Sequence, residues 1–164
     1  MLTLIPIPGL GSLAALLVAP TTEQSGWATP TGEAAAFAAL AEVEQHLRVD
    51  TRRRVVMGYS MGGRGTWHLA AKFRPHFVAA IPIAGRPGEI ELDTLRDLPL
   101  YVMHSEADRR VPIAGAAKAV ERLQALRAPV TFARLPSGDH FDYRLVIAEL
   151  RKVCTWLETI WQQP

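Results

Sequence analysis

A Gly-x-Ser-x-Gly pentapeptide, Gly58 to Gly62, lies between an apolar run and a segment of helical composition. The β-branched run that begins at Val55 predicts a strand, and the residues from Met61 to Pro75 predict a helix. Ser60 then lies at a strained strand-to-helix turn, and we expect the glycine on each side of it to be required because a Cβ would not fit. The turn exposes the Ser60 hydroxyl at a helix N-terminus, where the Met61 N–H is the first candidate donor to an oxyanion.

The length and composition fit one globular domain that spans residues 1–164. The chain has 49% hydrophobic and 21% charged residues and a formal net charge of +2, which gives no basic face for nucleic acid. Its one cysteine, Cys154, excludes an internal disulfide, and its place in an amphipathic segment favours a buried thiol over a reactive one.

The apolar run from Leu10 to Ala19 is the only stretch similar to a targeting segment. Prolines and a glycine interrupt the residues before it, and no basic residue precedes it. We therefore expect no signal peptide, and the run is too short for a membrane span. The expected location is the cytoplasm, with no membrane partner.

Strand-like and helix-like segments alternate along the chain. We predict an edge strand or an extended arm at Leu2–Pro8. A short buried strand is predicted at Leu13–Pro20, although alanine and leucine there also suit a helix. Further strands are predicted at Phe77–Ile83, Leu100–His104 and Val130–Leu135, and further helices at about Thr31–Leu47, Ile113–Arg127 and Tyr143–Trp161. The alternation predicts a mostly parallel sheet in a three-layer α/β sandwich, with active groups at the carboxyl ends of the strands.

A serine hydroxyl becomes a good nucleophile only when a base accepts its proton, and that base needs a carboxylate to orient it. Asp108 follows the strand that ends at His104, and His140 follows the strand that ends at Leu135. Asp108 has an alternative role as a cap ahead of the next helix. Asp139 and Asp142 flank His140 too closely to reach behind its ring.

The remaining histidines have simpler interpretations than His140. His104 ends a strand and is predicted to be packed and hydrogen-bonded, and the other three lie on helices or helix ends, namely His46, His68 and His76. Trp67, seven residues after Ser60, is predicted to pack in the core, and Arg64 and Arg86 are predicted to be surface residues.

The sequence around Ser60, Gly-Tyr-Ser-Met-Gly-Gly-x-Gly-Thr-Trp, resembles the carboxylesterase, phospholipase and dienelactone-hydrolase-like branch of the α/β-hydrolases. The segment from His104 to Pro112 is similar to that branch's His-Gly-x-x-Asp-x-x-Val-Pro pattern, with Ser105 in place of glycine. Gly138-x-His140 resembles the loop that carries the family's histidine. The resemblance implies Ser60 as nucleophile, His140 as general base and then acid, and Asp108 as the orienting acid. It implies a small-molecule ester as substrate and neither metal nor cofactor.

Two features depart from the family. The family's first strands and its His-Gly loop, which gives a second oxyanion donor, have no clear counterpart in this sequence. Only Pro8-Gly9-Leu10-Gly11 is a candidate substitute for the loop. A missing strand would leave a sheet edge for the N-terminal arm or a second subunit, so a homo-oligomer is a further expectation. The connection from Gly85 to Pro99 is too short for a large cap, which predicts an open site for short acyl esters.

Two alternatives stay open at this level. A thioesterase or peptidase would use the same three groups, which do not distinguish the acyl leaving group. A non-catalytic, truncated hydrolase fold that serves as a binding module is favoured by the missing strands, and the intact Ser60, Asp108 and His140 set argues against it.

Overall fold

The computed structural model describes residues 10–13, 15–22 and 26–162, which contain four strands and four α-helices, and a 3-10 helix joins the second strand to the third. The strands are β1 (Val55–Tyr59), β2 (Ala79–Ile83), β3 (Leu100–Ser105) and β4 (Val130–Leu135). The helices are α1 (Pro30–His46), α2 (Met61–Lys72), α3 (Ala114–Ala125) and α4 (Arg144–Trp161). Short 3-10 helices lie at Thr51–Arg53, Arg74–His76 and Leu92–Leu95.

The four strands form one parallel sheet in the order β1-β2-β3-β4. Val55 pairs with Ala79 and Tyr59 with Ile83, so β1 and β2 end at the same level. Each later strand also ends at this edge, because Ser105 pairs with Leu135. The loops that carry Ser60, Asp108 and His140 therefore leave the sheet side by side.

Alternate residues of the strands point to opposite faces of the sheet, and each face is covered by helices. On one face, Val102 and Leu100 pack with Trp67 of α2 and Leu123 of α3. On the other face, Met103 and its same-face neighbours pack against one side of α4, formed by Val146, Leu150, Val153 and Leu157. The three-layer α/β sandwich predicted from the sequence is confirmed.

Helix α1 packs beside α2. The Thr29 hydroxyl accepts from Gly32 N at 3.2 Å and caps the helix, and Pro30 occupies its first turn. The Phe37 ring meets the Phe73 ring edge to face, with 4.6 Å between centroids. Glu33 also accepts from the Lys72 ammonium at 2.7 Å, which joins the two helices.

The prediction of a strand at Leu13–Pro20 is wrong. Of this segment the structure describes residues 13 and 15–20, and these form no strand. Its Ala15 N–H bonds locally to Leu13 O at 2.9 Å, and Leu13 packs against the α4 side of the core. Apolar composition alone does not make a strand, since a strand also needs a neighbour to pair its backbone. The edge strand predicted at Leu2–Pro8 lies outside the described residues.

The other predicted elements are present, with bounds that shift by a few residues. The strand predicted from Phe77 begins at Ala79, because the 3-10 turn Arg74–His76 continues into Phe77 through a bond from Phe77 N to Arg74 O. Cys154 is buried on α4, as predicted. Within the described part of the chain, no helix combines the length and apolar character that a membrane span needs.

Candidate active site

Ser60 forms the turn between β1 and α2 with φ 54° and ψ −110°, a backbone conformation that non-glycine residues rarely adopt. Neighbouring elements hold it there. The Ser60 N–H donates to Ile83 O of β2 at 2.9 Å, and Ser60 O accepts from Arg64 N of α2 at 3.0 Å. Both backbone groups of the residue are paired, which fixes the direction of its Cα–Cβ bond.

The two glycines of the pentapeptide serve different needs. A Cβ on Gly58 would lie 2.3 Å from the backbone oxygen of Gly62, a distance that real contacts do not reach. A Cβ on Gly62 would meet nothing within 4 Å, so the expectation that this position also requires glycine is wrong. Gly63 is the second constrained position, because a Cβ there would lie 2.3 Å from Ile83 O and would push α2 off the sheet.

The different surroundings of Gly58 and Gly62 predict different changes in the free energy of unfolding when each is replaced by alanine. Gly58→Ala is expected to lower the free energy of unfolding by about 2–4 kcal/mol, since backbone on both sides of the turn must move. Gly62→Ala is expected to change it by no more than about 1 kcal/mol and to favour α2, because alanine has the higher helix propensity. Urea unfolding of both variants beside the wild type tests the pair, and equal losses would contradict it.

Ser60, His140 and Asp108 form a continuous chain of hydrogen bonds. His140 Nε2 lies 2.7 Å from Ser60 Oγ, and His140 Nδ1 lies 2.7 Å from Asp108 Oδ2. The imidazole and the carboxylate are almost fully buried. The structure thus brings together the three residues that the sequence singled out, in the arrangement that activates a serine hydroxyl.

Asp108 also caps a turn with its second oxygen. Oδ1 accepts from Arg110 N at 2.9 Å and from Val111 N at 2.8 Å, which leaves Oδ2 to face His140. The capping role weighed as an alternative is therefore present in the same side chain, although the turn precedes α3 and does not begin it. Burial acts to raise the pKa of Asp108, but the hydrogen bonds from His140, Val111 and Arg110 outweigh it and keep the pKa below its usual range.

His104 lies behind the Asp108 carboxylate and is fully buried. Its Nε2 donates to Val111 O at 2.7 Å and lies 3.5 Å from Asp108 Oδ2, while its Nδ1 is buried without a hydrogen-bond partner among the described residues. The prediction of a packed, hydrogen-bonded histidine is confirmed. Its contact with the Asp108 carboxylate was missed, and the only sequence signal is the four-residue spacing from His104 to Asp108.

Burial lowers the pKa of His104 from its ordinary value and outweighs the opposing effects of the Val111 carbonyl and the Asp108 carboxylate. Below the ordinary pKa of about 6.5, the unfolded chain therefore binds a proton at this residue that the folded protein does not bind. Protonation of His104 in the unfolded chain therefore lowers the free energy of unfolding as the pH falls from about 6.5 toward the pKa of His104 in the folded protein.

We expect His104→Gln to make the free energy of unfolding less dependent on pH between 7 and 5, because this titration is removed while the amide can still donate to Val111 O. Urea unfolding at several pH values measures the slope. His46→Gln, a change at an exposed histidine on α1, is the matched control and should keep the wild-type slope. Equal slopes in all three proteins would contradict the prediction.

Met61 is the first residue of α2, and its N–H belongs to the first turn, whose amides have no carbonyl partner within the helix. Its side chain is 54% exposed beside Ser60, and the ring of Phe141, 63% exposed, lies 5.1 Å from the His140 ring. Both exposed apolar side chains belong to residues that directly follow a member of the triad in the sequence, Met61 after Ser60 and Phe141 after His140. Of the segment expected to supply a second oxyanion donor, Pro8 and Gly9 lie outside the described residues.

The connection between β2 and β3 packs into the core and forms no cap. Leu95, in the 3-10 helix Leu92–Leu95, and Leu98 are both fully buried against Trp67 and its neighbours. Trp67 itself is buried and its Nε1 donates to Gly85 O at 3.3 Å, which confirms the prediction of a core residue.

Two relatives of known sequence, a cutinase and a probable feruloyl esterase, are similar to this chain. Cutinase 1 from Thermobifida cellulosilytica is 32% identical over 95 residues, which cover 57% of this chain and 35% of the cutinase. Probable feruloyl esterase C from Aspergillus niger is 34% identical over 124 residues, which cover 71% of this chain and 45% of that protein. The chain thus spans less than half the length of these two relatives.

The fold and the family follow from two further matches. The solved structure of MGS-M1, an α/β hydrolase from a Medee basin deep-sea metagenome library, superposes with a TM-score of 0.67 at 20% identity and covers 82% of this chain and 66% of that one. The family described as PETase, PET hydrolase-like, matches residues 22–160. The α/β-hydrolase fold predicted from the motifs around Ser60 is confirmed, and the chain belongs to the PET hydrolase-like family of that superfamily.

Proposed function

We propose that the chain is a serine carboxylesterase that hydrolyses short-chain acyl esters through an acyl-enzyme. The observation that carries the proposal is the unbroken hydrogen-bond chain from Ser60 Oγ through both nitrogens of His140 to Asp108 Oδ2, with 2.7 Å at each contact. The bonds from Arg110 N and Val111 N to Asp108 Oδ1 support an ionised carboxylate, which orients the imidazole with its proton on Nδ1.

In the acylation step, Ser60 Oγ attacks the ester carbonyl carbon while His140 Nε2 accepts the hydroxyl proton. The carbonyl oxygen becomes an oxyanion, which the Met61 N–H and the N-terminal dipole of α2 stabilise. The resulting imidazolium is stabilised by the buried Asp108 carboxylate. His140 then returns the proton to the leaving alkoxide, and the alcohol departs.

Deacylation repeats the sequence with water as the nucleophile. A water molecule gives its proton to His140 Nε2 and attacks the acyl carbon on Ser60. Collapse of the second tetrahedral intermediate releases the carboxylic acid and returns the proton to Ser60 Oγ. The same side chains, Ser60, His140 and Asp108, serve both steps.

Two observations support an ester with a short acyl part. The similarity to proteins named cutinase and feruloyl esterase supports an ester as the substrate. The exposed side chains of Met61 and Phe141, next to Ser60 and His140 in the sequence, offer apolar surface to a small acyl group.

A series of p-nitrophenyl esters from acetate to dodecanoate tests the substrate class. Each methylene that enters an apolar groove would contribute about 0.8 kcal/mol, or roughly fourfold in kcat/KM. We expect no such rise beyond butyrate, because added methylenes remain in water. A steady rise with chain length would contradict the short-chain preference, while folded protein that hydrolyses none of the esters would contradict esterase activity and favour a binding role.

Thioester and anilide substrates with the same acyl group complete the comparison. The ester is expected to be hydrolysed with the highest kcat/KM. A higher value for the thioester or the anilide would assign the site to thioester or amide cleavage instead.

A further inference from the structure

The segment between β4 and α4, residues 136–143, carries His140 and is called the histidine loop here. It has no regular secondary structure, and Gly138 within it adopts a φ of 94° that favours glycine. Within the loop, the Asp142 N–H donates to Asp139 O at 2.8 Å and closes a backbone turn. The position of the His140 ring therefore depends on what holds this loop from outside.

Ser105, the last residue of β3, makes the first external contact. Its Oγ lies 2.5 Å from Gly138 O and 3.0 Å from Ser137 O, and it accepts from Ala107 N at 3.2 Å. The hydroxyl proton is thus directed at two carbonyls of the histidine loop, while the oxygen is fixed by the segment that leads to Asp108. Ser105 is also the position where the chain departs from the glycine of the family pattern.

Tyr59, the last residue of β1, makes the second contact. Its hydroxyl donates to the carbonyl oxygen of His140, and its ring packs 5.6 Å from the His140 ring and 5.1 Å from the Tyr143 ring. Burial, with the neighbouring Tyr143 and Asp108 contributing, raises the pKa of Tyr59 to about 12, so the phenol keeps its proton and remains a donor.

A small cavity lies between the histidine loop and the core. Its lining includes Tyr59 and Ser105, loop residues, and apolar core side chains, namely Ser137, Asp139, Asp142, Ile83, Met103, Leu135 and Val146. Packing beneath the loop is incomplete at this point, and the two directed hydrogen bonds add to the contacts that hold the loop. We call the hydrogen bonds from Ser105 and Tyr59 to the histidine loop the two bridges. Both start next to the other members of the triad, since Tyr59 precedes Ser60 and Ser105 begins the segment that carries Asp108.

We propose that Ser105 and Tyr59 are positioning residues whose hydroxyls tie the histidine loop to β3 and β1 and so hold His140 between Ser60 and Asp108. The proposal rests on the proposed esterase function. Each hydroxyl bonds to a backbone carbonyl of the histidine loop, so each bridge acts on the placement of the imidazole. Its loss should therefore lower the rate of the chemical steps more than it changes substrate binding.

Ser105→Ala and Tyr59→Phe each remove one hydroxyl and little else. We expect kcat for p-nitrophenyl acetate to fall about three- to tenfold in each variant, with KM changed by less than about twofold, since one directed hydrogen bond is lost. Ser105→Thr keeps the hydroxyl and should restore most of kcat. Ser137→Ala and Tyr143→Phe remove hydroxyls from the same region that make no hydrogen bond among the described residues, and both should retain wild-type kcat.

A second readout does not depend on turnover. The proton between His140 Nδ1 and Asp108 gives a downfield NMR signal when the imidazole is held in place, and this signal should broaden in Ser105→Ala and Tyr59→Phe but not in the two controls. Unchanged kcat and an unchanged signal in both variants would overturn the proposal, as would a Ser105→Thr variant as impaired as Ser105→Ala. A broadened signal in a protein that hydrolyses no ester would support the bridges and refute the esterase function.

Discussion

Ser60→Ala is expected to lower kcat for p-nitrophenyl acetate on the order of 10⁴-fold or more, leaving at most a weak residual rate. The structure offers His140 Nε2 a single hydroxyl at 2.7 Å, and alanine removes both the nucleophile and the proton that the histidine accepts. Hydrolysis under initial-rate conditions measures the change. Far-UV circular dichroism and the urea midpoint verify that the variant remains folded.

Ser137→Ala is the matched control for this variant, because Ser137 is an exposed serine of the neighbouring loop. It should retain wild-type kcat. A covalent fluorophosphonate label is expected on Ser60 in the wild type and to be absent from Ser60→Ala. Activity or labelling that persists without Ser60 would mean that the nucleophile is another residue.

Asp108→Asn is expected to lower kcat by about 10⁴-fold, because it reverses the tautomer of His140. Arg110 N and Val111 N both donate to the Oδ1 position, so the asparagine carbonyl must remain there and the amide NH₂ must face the imidazole. His140 Nδ1 then acts as an acceptor and the ring carries its proton on Nε2. In that form it cannot accept a proton from Ser60.

Asp139→Asn is the control for charge near the histidine. Asp139 Oδ1 accepts only from the His140 backbone N–H in the described structure, at 2.7 Å, and an asparagine carbonyl can accept the same bond. We expect kcat within about threefold of the wild type, since no bond to the imidazole changes. Equal losses in the two variants would mean that negative charge, and not the tautomer, is what the site needs.

The sheet and the three site residues were accessible from the sequence because they rest on local patterns. Short apolar runs alternate with amphipathic segments, and the position after each strand is where a parallel sheet collects its functional groups. Ser60, Asp108 and His140 each occupy such a position. Because all four strands run parallel, the loops that carry these three residues lie at one edge of the sheet.

The features that the sequence did not reveal depend on contacts between distant segments. Ser105 meets a carbonyl 33 residues away, and Tyr59 meets one 81 residues away, so no periodicity or short motif marks either bond. The strand prediction for Leu13–Pro20 is wrong because the composition of the run suits a strand, while its described residues pair with no other strand. Gly62 shows that a motif position can be glycine without a steric need in this chain.

The backbone bonds of Ser60 to β2 and α2 tie the nucleophile to the cooperative unit that the sheet and its helices form. The histidine loop is held to β1 and β3 through side-chain hydroxyls, and we therefore expect it to open at a lower free energy than the sheet. Mild denaturant or heat should therefore release His140 while Ser60 still holds its native geometry. Reversible loss of activity would then precede the main unfolding transition, and rapid dilution would restore the site without refolding of the core.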